Sequence, residues 1–171
     1  MKKLIILFVF TATALLSTQA QKVAIVDMEY IMKNIPAYES ANEQLNLVSK
    51  KWQKEVETLM QEVQTMYKNY QTELVFLSDE MKVKRENEIV EKEKAANELK
   101  RKYFGADGEL YKKRTSLMKP MQDEIYNAIK EICEEKSYQI VLDKASGMNI
   151  IYASPRIDIS DEVLAKLGYS K

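Results

Sequence analysis

The sequence predicts an α+β fold in which a long antiparallel helical hairpin projects from a small β-sheet body built from both chain ends. Apolar residues recur at helical spacing from residue 38 to residue 77 without an intervening glycine or proline. A helix start signal, "LSDE", follows directly, and so short a break between two helices makes them antiparallel. The strand-like segments lie near the chain ends, so the hairpin arm (36–120) separates two parts of the body (22–35 and 121–171).

Residues 1–20 are predicted to be a secretory signal peptide rather than part of the fold. A charged start precedes an apolar run over residues 4–16, and "STQA" ends in a small residue, Ala20. The mature chain is therefore expected to begin near Gln21 and to act outside the cytoplasm as one domain (21–171).

The predicted body combines three strands and two short helices. Its strands are "KVAIVD" (22–27), "YQIVLD" (138–143) and "NIIYA" (149–153), and the last two form a hairpin across "KASG". A short helix, "MEYIMKNI", ends before Pro36, and a final helix takes Ser160 as its N-cap and ends at Gly168. So small a sheet leaves edges and apolar faces that need partners, so we expect the chain to oligomerise.

The arm is predicted to consist of two long helices. Twelve apolar positions from Tyr38 to Leu77 are separated by steps of three and four, with a mean of about 3.55 residues, which indicates a narrow, gently supercoiled seam. Ser78 is the expected N-cap of the returning helix, which we expect to run from Asp79 to about Lys136. With the turn centred on Ser78, the numbers of facing residues should add up to about 156.

Two of the four glycines lie in "KYFGADGELYKK" (102–113), within the predicted returning helix. A domain linker is disfavoured because the apolar seam continues on both sides, and the segment matches no ligand loop. The register places Gly105 opposite the residue before Trp52, the only tryptophan. Each glycine costs a helix about 1 kcal/mol relative to alanine. We therefore interpret Gly105, Gly108 and Trp52 as a hinge within one long arm.

No residue pattern indicates catalysis. The chain has no histidine, which excludes Ser–His and Cys–His nucleophiles and histidine metal sites. No phosphate-binding or dinucleotide glycine pattern occurs, and the acidic residues of the helices have lysines three or four positions away, as on solvated faces. Cys133 lies at the edge of an apolar helical face, which favours a buried, inert thiol over an intermolecular disulfide. We expect a non-enzyme without cofactor, metal or nucleic-acid partner.

Ten tyrosines and nine methionines outnumber the four phenylalanines and one tryptophan. Methionine adapts to irregular apolar surfaces, and tyrosine combines an apolar body with a polar tip. Most of these residues can fill the seam of the hairpin, or they can offer a permissive surface to unfolded polypeptides. The candidate contact residues are Met66, Tyr67, Tyr70, Tyr103 and Tyr111, of which Tyr67 and Tyr111 lie beside the seam.

Four segments, "IVD", "KPMQDEIYNAI", "YQIVLD" and "YASPRIDISDEVLAKL", resemble the Skp/OmpH family of periplasmic chaperones, and the resemblance spans the whole mature chain. It implies a homotrimer joined through a β-barrel-like body, with three arms around a cavity. It also implies an ATP-independent periplasmic holdase that keeps unfolded outer-membrane proteins from aggregating. The alternative is a structural coiled-coil protein of the cell envelope that binds no client.

The charge of the chain departs from what the resemblance implies. Better-known members are strongly basic, and attraction to lipopolysaccharide or acidic membranes is attributed to that charge. Without the two lysines of residues 1–20, this chain has 24 basic and 26 acidic residues, a net charge of −2. Positive charge is in excess only in residues 81–120, where Lys82, Lys84 and Arg85 are candidate anion contacts. The implied membrane or lipopolysaccharide partner depends on these three side chains.

Overall fold

The computed structural model of the chain describes residues 21–147 and 150–169. The predicted signal peptide lies outside the described residues. The chain divides into two compact units. The terminal unit holds the described residues up to Ile31 and from Ile125 onward, and the helical unit holds Met32–Glu124.

The described residues form long helices and two short strands. In chain order they are β1 (Lys22–Val26), α1 (Met28–Lys33), α2 (Pro36–Glu73), α3 (Asp79–Phe104), α4 (Glu109–Lys136), β2 (Tyr138–Asp143) and α5 (Ser160–Lys166). Single 3₁₀ turns occupy Leu74–Phe76 and Pro155–Ile157. This mostly helical chain, with a small sheet drawn from both ends, confirms the predicted fold class, whereas assembly into a trimer stays a prediction.

The residues at which α2 and α3 begin follow from local chemistry. Ile35 is extended, as a residue before proline prefers, and Pro36 takes the first helical position, where its missing N–H is not needed. At the start of α3 the backbone N–H of Met81 donates to Ser78 Oγ at 3.3 Å, which confirms the predicted N-cap.

The two long helices pair antiparallel in the predicted register. Trp52 stacks on Tyr103, Lys92 Nζ lies 2.6 Å from Glu62 Oε2, and the Tyr70 hydroxyl donates to Glu86. The numbers in each pair add up to about 155, close to the predicted 156. The seam is thin, since Ala41, Leu45 and Val56 are the residues of α2 that are buried, and Ile89 and Ala96 those of α3.

The returning helix is broken, so the prediction of one continuous helix over residues 79–136 is wrong. Gly105 takes an extended backbone and closes the last turn of α3 by donating its N–H to the Arg101 carbonyl at 2.8 Å. Gly108 in turn donates to the Gly105 carbonyl at 2.9 Å. A Cβ on Gly105 would lie 2.5 Å from the Arg101 carbonyl oxygen. The turn therefore needs glycine for close approach of the backbone.

The sheet of the terminal unit is parallel and, in the described residues, two-stranded. β1 pairs with β2 in a register that sets Val23 against Ile140 and Val26 against Asp143. The predicted hairpin with a strand at 149–153 is wrong for its described part, since residues 150–153 form no strand. β2 takes one edge of β1, and the other edge is bridged by Asp158, with the Ile159 N–H donating to the Ile25 carbonyl at 3.0 Å.

The last helix differs from the prediction at its start and matches it at its end. Ser160 is the first helical residue rather than the N-cap, because its Oγ donates to Asp158 Oδ1 at 2.6 Å and accepts from the Asp27 N–H at 2.8 Å. Gly168 has a φ of 84°, and the Tyr169 N–H returns to the Leu164 carbonyl, which confirms the predicted glycine stop. The core of the terminal unit includes Ala24, Ile25, Val26, Ile125, Ile132, Ile159, Val163 and Leu164.

Candidate functional site

The helical unit has an open groove of about 660 Å³ between α2 and α3. A stripe on α2 forms one wall: Gln53, Val56, Glu57, Met60, Gln61 and Gln64. Successive positions are alternately three residues and one residue apart, so they share one face of the helix. Lys100 and Phe104, in the last turns of α3, form the other wall.

An aromatic cluster holds the α3 wall in place. Trp52 and Tyr103 are stacked, with ring centroids 4.7 Å apart and planes within 6°. The rings of Phe104 and Tyr103 are nearly perpendicular, with their centroids 6.4 Å apart. The Tyr103 hydroxyl donates to Glu55 Oε2 at 2.7 Å, and this hydrogen bond raises the pKa of Tyr103. The cluster ties the end of α3 to α2 just before the Gly105 break, so Phe104 is positioned by its neighbours.

The five predicted contact residues do not share one pocket. Tyr67 and Tyr111 are exposed, at 54% and 56%. Met66 and Tyr70 are half-buried and line a small cleft of about 70 Å³. The hydrogen bond from Tyr70 to Glu86 raises the pKa of Tyr70. Tyr103 belongs to the aromatic cluster, where its ring and its hydroxyl both have partners within the helical unit.

The three predicted hinge residues lie close together. Gly105 and Gly108 frame the break between α3 and α4, and Trp52 stacks on the residue two positions before Gly105. Gly108 is buried, and a Cβ there would lie 2.8 Å from the Tyr103 carbonyl oxygen. Movement at this break stays a prediction.

Two of the three predicted anion contacts already have carboxylate partners. Lys82 Nζ lies 3.0 Å from Asp79 Oδ1, and Arg85 lies 3.8 Å from Glu73 and 3.5 Å from Glu88. Lys84 is exposed. Nearby carboxylates offset the field of these cations, so an external anion meets a weakened attraction. Anion binding at this end of α3 stays a prediction.

Two surfaces of the helical unit were not predicted from the sequence. The first is the 3₁₀ turn after α2, where Val75 and Phe76 are each 86% exposed. Four consecutive apolar residues, Leu74–Leu77, cannot all face one side of a helix, and that signal was present in the sequence. The second is the groove, whose glutamines at positions 53, 61 and 64 share a helix face with Met60.

Among the described residues, no group of three or more Cys, Asp or Glu side chains is placed to hold a metal ion. Cys133 is half-buried rather than buried, and burial raises the pKa of its thiol. In the described part of the chain, no helix combines the length and the apolar character that crossing a bilayer requires.

Comparisons with known proteins agree on one family. The sequence profile of the family described as "Outer membrane protein (OmpH-like)" matches residues 22–167. The chain is 26% identical over 153 residues to the chaperone protein Skp of Yersinia enterocolitica, covering 88% of each protein. The fold is similar to the crystal structure of an OmpH-like protein from Caulobacter crescentus, with a TM-score of 0.64, 14% identity, and coverage of 88% of this chain and 86% of that one.

Proposed function

Because the chain belongs to the OmpH-like outer membrane protein family, we propose that it is a periplasmic chaperone for unfolded outer-membrane proteins. It holds its clients without ATP and keeps them from aggregating. The observation that carries this proposal is the family match over residues 22–167, together with a relative that is itself a chaperone. Removal of the signal peptide near Ala20 and Gln21 would release the chain into the periplasm.

The surface of the helical unit supports a holding role. Apolar or amphipathic side chains are exposed at several separate places, among them Leu47, Tyr67, Val75, Phe76, Val90 and Tyr111. Each contact of this kind is weak and tolerates many partner sequences. Several weak contacts on one client act together, because each bound segment raises the effective concentration of the next. Affinity without sequence specificity is what a holdase requires.

The terminal unit supports assembly of several copies, and we propose a homotrimer whose arms surround the client. Ile151 is fully exposed and Tyr152 is 82% exposed. Large apolar side chains that face solvent favour association with another chain. Multi-angle light scattering should give about three protomer masses, and a stable monomer would contradict the trimer.

The chaperone proposal is tested by diluting a urea-denatured outer-membrane β-barrel protein into buffer with and without the purified chain. We expect turbidity to be suppressed in proportion to the chain added, with and without ATP. Equal turbidity in both samples would favour the alternative, a structural coiled-coil protein of the envelope without client binding. An exported globular protein of similar size serves as the control for non-specific crowding.

A further inference from the structure

The groove between α2 and α3 presents three glutamines and three apolar side chains (Val56, Met60, Phe104). Glu57 and Lys100, of opposite sign, are its charged residues. We propose that this groove binds uncharged, extended client segments in which apolar and polar side chains alternate. This inference rests on the proposed chaperone function and names the segments that are held.

The lining fits the backbone of an extended chain. An unfolded segment exposes N–H and C=O groups that pair with no neighbouring strand, and each needs a partner once water is displaced. A glutamine amide offers two donors and a carbonyl acceptor, so it can pair with either backbone group whatever the client sequence. Met60 and Phe104 give the apolar side chains of the same segment a surface to contact, above the buried Val56.

The dimensions match a short strand. Gln53 and Gln64 are eleven residues apart on α2, or about 16 Å at 1.5 Å per residue. That length holds about five residues of an extended chain at 3.3 Å per residue. Strands of outer-membrane barrels alternate apolar and polar side chains over about ten residues, so one groove would hold about half a strand.

The groove also has its own reporter. Trp52, the only tryptophan, stacks on Tyr103, and Tyr103 contacts Phe104 of the groove wall. A segment that displaces water around Phe104 should therefore change the fluorescence of Trp52. A synthetic ten-residue peptide without aromatic residues, with alternating Leu and Ser, serves as the probe. Two further peptides replace the Ser positions with Glu or shuffle the same residues out of alternation.

The test titrates these peptides into the full mature chain. We expect saturable binding of the alternating Leu/Ser peptide and binding weaker by at least about fivefold for the other two, since burying carboxylates is costly and shuffling misplaces the apolar side chains. The variant Gln61→Glu with Gln64→Glu should weaken binding of the Leu/Ser peptide by a similar factor. Gln44→Glu with Gln71→Glu adds the same charge at exposed positions of α2 outside the groove and should leave it unchanged.

Two outcomes would overturn the inference. Equal affinities in the two double variants would place binding elsewhere, and equal affinities for the alternating and shuffled peptides would exclude recognition of strands. Either result leaves the turbidity assay untouched, since suppression of aggregation by the unchanged chain tests the chaperone proposal separately. Circular dichroism of each variant establishes that the helices are intact before binding is compared.

Discussion

An alanine at position 105 would place its Cβ 2.5 Å from the Arg101 carbonyl oxygen. Real Cβ atoms do not approach backbone oxygens so closely, so α3 or the turn must shift, and forced overpacking of this kind costs about 1–3 kcal/mol. In a continuous helix the same substitution would instead stabilise the chain by about 1 kcal/mol. The sign of the change in the free energy of unfolding that Gly105→Ala causes therefore distinguishes a broken helix from a continuous one.

The assay is urea unfolding followed by far-ultraviolet circular dichroism at one fixed protein concentration, because association makes apparent stability depend on concentration. Ala95→Gly, at an exposed position within α3, measures the effect of exchanging alanine and glycine inside a helix. It should lower the free energy of unfolding by about 1 kcal/mol. Both variants should be less stable than the unchanged chain. A more stable Gly105→Ala variant would refute the structural argument for the break.

Three further predictions concern other contacts. Ser160→Ala should lower the free energy of unfolding of the terminal unit by about 1–3 kcal/mol. The reason is that Ser160 is buried and its hydroxyl forms hydrogen bonds with both Asp158 and the Asp27 N–H. Ser146→Ala, at an exposed position in a turn, is the control and should have little effect. Burial alone would raise the pKa of Asp158, but hydrogen bonds from Lys144 and Ser160 outweigh it and hold that pKa below its usual value. The ionised carboxylate therefore stabilises the fold above about pH 4, and this stabilisation should be lost as the pH drops further. When unfolding is measured from about pH 5 to about pH 3, the loss of stability should be smaller in Asp158→Asn. Because burial raises the pKa of Cys133, a disulfide reagent at mildly alkaline pH should modify it more slowly in the folded chain than after denaturation, and equal rates would contradict that environment.

The pairing of α2 with α3 was predictable because it depends on information that is local in the sequence. The three- and four-residue steps of the apolar positions define the seam, and Ser78 fixes where the chain turns. Together they determine the register, and the observed pairing of Trp52 with Tyr103 agrees with the predicted register within one residue. The groove was not predicted, because which flank of the seam stays open depends on side-chain volumes on both helices.

The break at Gly105 and the parallel sheet were not predictable in the same way. A single glycine costs a helix about 1 kcal/mol, which tertiary contacts often offset, so the sequence alone did not decide between a tolerated glycine and a turn. "KASG" before an apolar run is typical of a hairpin, but pairing requires an open partner edge in the right place. Here β2 pairs with β1, and Asp158 rather than residues 150–153 meets the other edge of β1.

The parallel pairing of β1 with β2 has a consequence for how the chain reaches its fold. The sheet joins residue 22 to residue 138, whereas hydrogen bonds between α2 and α3 join residues only 16 or 48 positions apart. Closing the larger loop costs about 4 kcal/mol in chain entropy, so the helices should form first and the sheet last. Chains are made from the N-terminus, so β1 waits unpaired until the final quarter of the protein exists. The proposed function of this protein is to shelter β-strands that have not yet paired, and during its own synthesis the chain carries such a strand.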